Sequence, residues 1–302
     1  MSETASGFIG VDIGGTNLRG ALIGADGEIV HRFRTQSLIH EGVAPFLERL
    51  CEGIGGLRAA AQSDNLSVEA VGVGVPGLLD RSGVVRSSVN MPPLQGIPLQ
   101  DILASRLKLP VRCANDANLI ALGEWRYGAG QGLDSLLMLT IGTGLGSGLI
   151  LRGGLWEGSR GFAAECGHLT VVPDGHPCPC GNRGCLEQYV SATALTRKGG
   201  GVPPDELARL ARGGNHQAQL LFEDLGRYLG IALAGLLNVL NLDGVLIGGG
   251  VAVSYDLFAS SLSQELHRRA FPQVLTDLVL CTGMLGDDAG LLGGALLAAS
   301  GK

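Results

Sequence analysis

Along the first part of the chain, apolar residues come in short runs broken by small and polar ones, without helical spacing. Residues 8–12 and 19–23 read as strands joined by the turn Gly14-Gly15-Thr16-Asn17, and 29–35 adds a third, which predicts an antiparallel meander. The period then changes. Residues 42–61 carry helical spacing and stop at Ser63-Asp64-Asn65. An apolar run over 68–75, closed by Pro76-Gly77, reads as a buried strand. A helix over 99–107 and a strand over 111–114 follow, ending at Asn115-Asp116.

A second cycle starts there. Residues 118–127 are helical, and 135–140 and 148–152 are strands around another glycine turn. Helices are expected over 204–212 and 218–240, with a strand over 244–247 that runs into Gly248-Gly249-Gly250. A helix over 255–270, a strand over 278–282 and a helix over 288–299 complete the chain. Position 12 onward reads DIGGTNLRGALI and position 140 onward reads TIGTGLGSGLI, so Ile13, Gly14 and Gly20 recur as Ile141, Gly142 and Gly148. A strand, a glycine turn and a strand therefore occur twice, which points to two related halves.

Fifty glycines in 302 residues, without a collagen-like period, imply many tight turns and close backbone approaches. In each repeated turn the missing side chains let successive N–H groups point into one concavity, a nest for anionic oxygens. Thr16 and Thr143 add hydroxyl donors. Asp12 suits a phosphate neighbourhood only if Mg²⁺ lies between. Two such nests imply a nucleotide held across a cleft; either turn alone is equally an ordinary hairpin. Neither fits GxxxxGK[ST], and the glycines from Gly142 to Gly146 lead into a strand where a dinucleotide site needs a helix.

Apolar residues make up 45% of the chain and charged residues 17%, the composition of a compact enzyme. A net charge of −6 and a pI near 5.5 exclude a nucleic-acid backbone binder. The start MSETASGFIG carries no export signal, and the apolar stretches 229–240 and 289–299 are too short to span a bilayer. A cytoplasmic, reducing location is the expectation.

The segment 160–189, RGFAAECGHLTVVPDGHPCPCGNRGCLEQY, carries the densest chemistry. His168, Cys178, Cys180 and Cys185 are a complete ligand set for a closed, structural Zn²⁺ site. Gly181 and Gly184 would let the chain turn back so that Cys185 closes it. Free thiols or a disulfide are the alternatives; seven cysteines is an odd count for disulfides. Glu165 and Glu187 flank this loop at short range, so a metal there would fix two carboxylates.

These motifs resemble the ROK family of sugar kinases, whose fold is that of the actin, hexokinase and heat-shock ATPase superfamily. The resemblance spans DIGGTNLRG to GDDAGLLGGA, with CxCGNxGCxE its most specific part. It implies a two-lobed α/β fold with duplicated βββαβαβα-type domains: 1–118, completed by the helix 288–300, and 119–287 with the zinc loop 165–187. Family repressors carry a DNA-binding domain ahead of the first strand; here seven residues precede Phe8, so the resemblance is to the enzymes.

The resemblance also assigns roles. Asp116 matches the catalytic base, although on the residues alone Asn115 or Asp116 is equally a helix cap. Gly74, Asn90, Asn115, Glu165, His168 and Glu187 match sugar contacts, with His168 and the three cysteines holding Zn²⁺. Asp12, Gly14, Gly15, Thr16, Thr143 and Gly144 match the surroundings of the ATP phosphates and Mg²⁺, and Gly248 and Gly249 border the adenosine. The family usually reads GEIGH where this chain reads AECGH; Cys166 is then a small core residue. Glucose is the first expectation for the sugar. Kinases of N-acetylglucosamine, N-acetylmannosamine or fructose, and a sensor that binds without phosphorylating, are the alternatives. A homodimer or higher homo-oligomer, with no nucleic-acid or membrane partner, completes the expectation.

Overall fold

The computed structural model describes residues 5–300. The first four residues of the expected lobe 1–118 lie outside them. The chain opens with the meander β1 (Ala5–Ile13), β2 (Asn17–Gly24) and β3 (Ile29–Gln36). Helix α1 (Val43–Ser63) buries Phe46, Leu47, Leu50, Ile54 and Leu57, one apolar stripe at helical spacing. Strand β4 (Leu66–Val75) follows, then the short hairpin β5 (Leu78–Leu79) and β6 (Val85–Ser87), helix α2 (Leu99–Leu107), strand β7 (Val111–Asn115) and helix α3 (Asp116–Tyr127).

The second half repeats the plan. Strands β8 (Leu136–Ile141), β9 (Leu145–Leu151) and β10 (Gly154–Leu155) precede the cysteine loop. Helices α4 (Ala192–Lys198), α5 (Pro204–Arg212) and α6 (His216–Leu240) lead to β11 (Gly244–Gly248). Helices α7 (Tyr255–Arg269) and α8 (Pro272–Leu275), strand β12 (Val279–Thr282) and helix α9 (Ala289–Ala299) end the chain.

The two five-stranded sheets have the same order, β3-β2-β1-β4-β7 and β10-β9-β8-β11-β12. In each, the first three strands are antiparallel and the next two run parallel to the first. The repeated turns differ by one residue: Ile13 faces Leu18 in the first, while Ile141 faces Leu145 in the second. Gly20 and Gly148 consequently sit at different heights, opposite Val11 and Met138. The duplication is one of topology, and the second turn is the tighter.

Helix α9 lies on the first sheet at backbone contact. A Cβ at Gly10 would fall 1.8 Å from the Leu291 carbonyl oxygen, and one at Gly293 equally close to that of Leu119 in α3. Helices α3 and α9 therefore pack as a pair between the sheets, with Ala114, Leu119, Leu136, Met138, Ile150, Leu246 and Leu297 sharing one apolar cluster. The short elements α4, α8, β5, β6 and β10 were not expected from the pattern, because their few apolar residues show no period. Helix α3 starts at Asp116, two residues before its apolar spacing becomes visible. No helix among the described residues is long and apolar enough to cross a membrane.

Candidate active site

The parallel strands β1, β4 and β7 deliver the first group of side chains. Asp12 lies beside Gly74, and Gly74 beside Ala114, so Asp12, Gly74 and the Asn115-Asp116 pair gather at one sheet edge. Carboxyl ends of parallel strands are where open α/β sheets place ligands. Gly74 packs closely there: a Cβ would come 3.0 Å from the Leu119 side chain and 3.5 Å from the Asp116 Cα.

Asn115 is the N-cap of α3. Its Oδ1 accepts from the N–H groups of Ala117 (2.9 Å) and Asn118 (3.3 Å), and its Nδ2 donates to the Gly77 carbonyl at 3.0 Å. One amide N–H remains for a ligand. Asn115 and Asn118 also line a polar cavity of about 200 Å³ with Asp80, Arg81 and Glu157.

Asp116 is the first residue of the helix and accepts from the Ala117 N–H at 2.9 Å. Burial pushes its pKa up, the Asp12 and Glu165 charges push it further, and it reaches about 6. The carboxylate is thus a base poised close to neutrality.

Asp12 is held by a residue that pattern reading missed. Arg19 stands directly across the β1–β2 ladder and donates through Nε (3.1 Å) and Nη2 to one oxygen, Oδ2. Oδ1 has no hydrogen-bond partner among the described residues. One open carboxylate oxygen suits Mg²⁺, which binds one or two carboxylates and otherwise waters and phosphates. The pairing was readable in principle, since a four-residue turn places positions 12 and 19 opposite each other.

Within the first turn the Gly15 and Thr16 carbonyls are tied back to the buried Ser37, through its Oγ (2.6 Å) and its N–H (2.9 Å). Ser37 carried no local signal. The hydroxyls of Thr16 and Thr143 have no hydrogen-bond partner among the described residues, and both residues are exposed. Gly15 approaches the Asn90 carbonyl; the Asn90 side chain is exposed and makes no hydrogen bond among the described residues.

The second turn is joined to the cysteine loop. Glu187 Oε2 accepts from the Leu145 N–H at 3.0 Å, and a Cβ on Gly144 would lie 2.3 Å from that oxygen. Behind the turn, Gly249 adopts φ 84°, and a Cβ there would strike the Ile141 backbone at 2.5 Å. Gly248-Gly249 therefore backs directly onto the turn carrying Thr143 and Gly144.

His168, Cys178, Cys180 and Cys185 converge, with ligand atoms within 4.8 Å of one another. Cys178 Sγ lies 3.7 Å from His168 Nδ1, and Cys180 Sγ lies 3.7 Å from Cys185 Sγ. Zinc–sulfur bonds of about 2.3 Å make tetrahedron edges of about 3.8 Å, so this set could hold such an ion. Gly184 makes the return possible: its φ is 73°, and a Cβ would fall 1.7 Å from the Val172 carbonyl oxygen. Cys166 is buried in the core of the second half. Desolvation raises the Glu165 pKa, His168 opposes, and Glu187 adds to the rise. Trp156 is half exposed and is not a core residue.

Comparison with known proteins accords with this arrangement. The chain is 35% identical to a glucokinase of Thermotoga maritima, over 95% of this chain and 96% of that one. A ROK hexokinase from Thermus thermophilus superposes with a TM-score of 0.86, 35% identity and 98% coverage of both chains. A ROK glucokinase from Streptomyces griseus, in complex with glucose and AMPPNP, superposes with a TM-score of 0.81 at 33% identity, covering 97% of this chain and 99% of that one. The ROK family pattern matches residues 8–300, and the chain is a member of the ROK family.

Proposed function

We propose that this protein is an ATP-dependent hexose kinase that converts glucose to glucose 6-phosphate, with Asp116 as general base. The observation that carries the reading is the position of Asp116, buried at the helix start within electrostatic reach of Asp12 and Glu165, with a pKa raised to about 6. A carboxylate of that basicity takes the proton of the attacking hydroxyl as its oxygen bonds to the γ-phosphorus, and ADP departs.

The glycine turns would cradle the phosphates, with Gly14, Gly15 and Thr16 on one side and Thr143 and Gly144 on the other. Asp12 Oδ1 would hold Mg²⁺ directly or through its waters, and that ion would neutralise charge on the phosphates. Gly248 and Gly249 would border the adenosine. The remaining N–H of Asn115, with Gly74, Asn90, Glu165, His168 and Glu187, would orient the sugar. Zinc bound through His168 Nδ1 would fix that ring's tautomer and leave Nε2 for a sugar hydroxyl. Lobes 5–118 plus α9, and 119–287, would close over both substrates and exclude water.

Glucose is favoured by the glucokinase relatives at 35% and 33% identity. The test is ADP formation with Mg²⁺ against glucose, mannose, fructose and the N-acetylhexosamines, with the phosphorylated position read by NMR. Highest kcat/KM for glucose at its 6-hydroxyl supports the reading. Preference for an acetylated sugar replaces the substrate, and binding without turnover leaves a sensor.

A further inference from the structure

Among the described residues the chain passes between the two five-stranded sheets twice, from β7 through α3 to β8 and back from β12 to α9. Both crossings meet at one buried side chain, Glu124 in the last turn of α3. Its Oε2 accepts from the Ala129 N–H (3.0 Å) on the way out to β8 and from the Met284 N–H (3.1 Å) on the way back from β12. Its Oε1 accepts from the Leu285 N–H at 2.8 Å. Each crossing carries a glycine at the point of contact. A Cβ at Gly128 would fall 2.1 Å from Oε2, and one at Gly283 would fall 2.7 Å from Oε1. Burying a carboxylate is costly unless hydrogen bonds meet it, and those it accepts are then strong.

We infer that Glu124 is the positioning residue of a hinge, tying both crossings to one pivot so that closure brings Asp116 and the phosphoryl donor into line. The inference rests on the kinase reading and the lobe closure proposed above. Helices α3 and α9 touch at their backbones, since a Cβ at Gly123 would fall 2.1 Å from the Ala289 carbonyl oxygen. The pair therefore moves as one body. A change of angle between the sheets is left to the segments that join this pair to the second sheet, 128–135 and 283–288. These hold Gly128, Gly130 and Gly132 in the first and Gly283 and Gly286 in the second, residues that absorb backbone rotation readily. Two such segments, untied, would bend independently and let the halves twist as well as close. A carboxylate shared between them couples the two bends.

Glu124 acts at a distance. It lies eight residues along α3 from Asp116, about 12 Å at the helical rise, so it does not touch the reacting atoms. The base and the pivot nevertheless ride on one helix, and an error at the pivot is carried to the base.

Small-angle scattering of the whole protein with and without glucose, beside steady-state ADP formation, tests this. Glu124→Gln keeps the size of the side chain but offers one acceptor oxygen to three N–H groups. It is expected to enlarge the sugar-free radius of gyration and to lower kcat about tenfold, with KM shifting for glucose and MgATP alike. The pH limb of Asp116 is expected to keep its midpoint, because the surroundings of the base are unaltered. Gly283→Ala crowds the same carboxylate from the returning segment and is expected to reproduce the pattern with Glu124 intact. Folded variants that melt earlier but keep the parent's radius and kcat would make Glu124 merely structural and overturn the inference. If neither variant folds, amide exchange in the parent decides. Ala129, Met284 and Leu285 are expected to open together and to change protection together when glucose binds, and independent exchange overturns the pivot. A parent protein that forms no ADP with any sugar overturns the kinase reading instead, and scattering and exchange still judge the hinge.

Discussion

Glu187 accepts a hydrogen bond from the Leu145 N–H at 3.0 Å, joining the residue two places after Cys185 to the second glycine turn. A carboxylate of the loop proposed to recognise the sugar and the turn proposed to face the phosphates thus share one contact. The contact needs a glycine beside it, because the Gly144 Cβ position lies 2.3 Å from Glu187 Oε2.

Gly144→Ala is therefore expected to push Glu187 off Leu145 while leaving the fold intact. A displacement near 1 Å at the reacting centre costs about 10²-fold in rate. Steady-state kinetics should show kcat/KM falling by that order for both sugar and ATP, with the melting temperature little changed. A defect confined to one substrate would argue against coupling through Glu187.

The pH profile follows from Asp116. In the proposed mechanism its base form is the active one, so kcat/KM should rise with pH and level off above a midpoint near 6. Burial dominates the shift and the Asp12 charge adds to it, so the residual activity of Asp12→Asn should show that limb at lower pH. The raised pKa has the opposite sign for stability. The folded state holds the proton more tightly than the unfolded chain, so the contribution of Asp116 is fully present below roughly pH 4. It is lost as pH rises through about 6, where the active base forms. The site trades stability for a usable base.

The four converging ligands lead to one zinc per chain by elemental analysis. Stripping the ion with a strong chelator should lower the melting temperature and weaken glucose binding more than MgATP binding, since Glu165, His168 and Glu187 all depend on that loop. Cys185→Ser should do the same without chelator. A chain that stays metal-free under saturating zinc would remove the ion from the account.

Helix packing gives a test independent of chemistry. A Cβ at Gly293 would meet the Leu119 carbonyl oxygen at 1.8 Å, between α9 and the helix that carries Asp116. Gly293→Ala should destabilise the fold by about 1–3 kcal/mol, measurable by urea unfolding. Gly235→Ala, where a Cβ meets nothing within 4 Å, is the control in a helix of the same protein.

What could be read from sequence was local. The meander β1–β3, the parallel pair β4 and β7, and the second sheet's strands follow from apolar runs and turns. The four candidate metal ligands follow from spacing within 18 residues. Asp116 and Asn115 were ambiguous between cap and chemistry, and the structure shows Asn115 as the cap, with the Asp116 carboxylate accepting from the Ala117 N–H and within electrostatic reach of Asp12 and Glu165. Contacts set by the assembled sheets were silent. Ser37 holds the first turn from 22 residues away, and Glu124 accepts from backbone groups 160 residues downstream. Arg19 lay between, since only the register of the hairpin puts it opposite Asp12.

The most direct test of the account is Asp116→Asn, assayed for ADP formation with glucose and, on the same preparation, for glucose binding by calorimetry. The account requires turnover to fall by about 10²–10⁴-fold while glucose still binds. Turnover within a few fold of the parent protein would contradict Asp116 as the base.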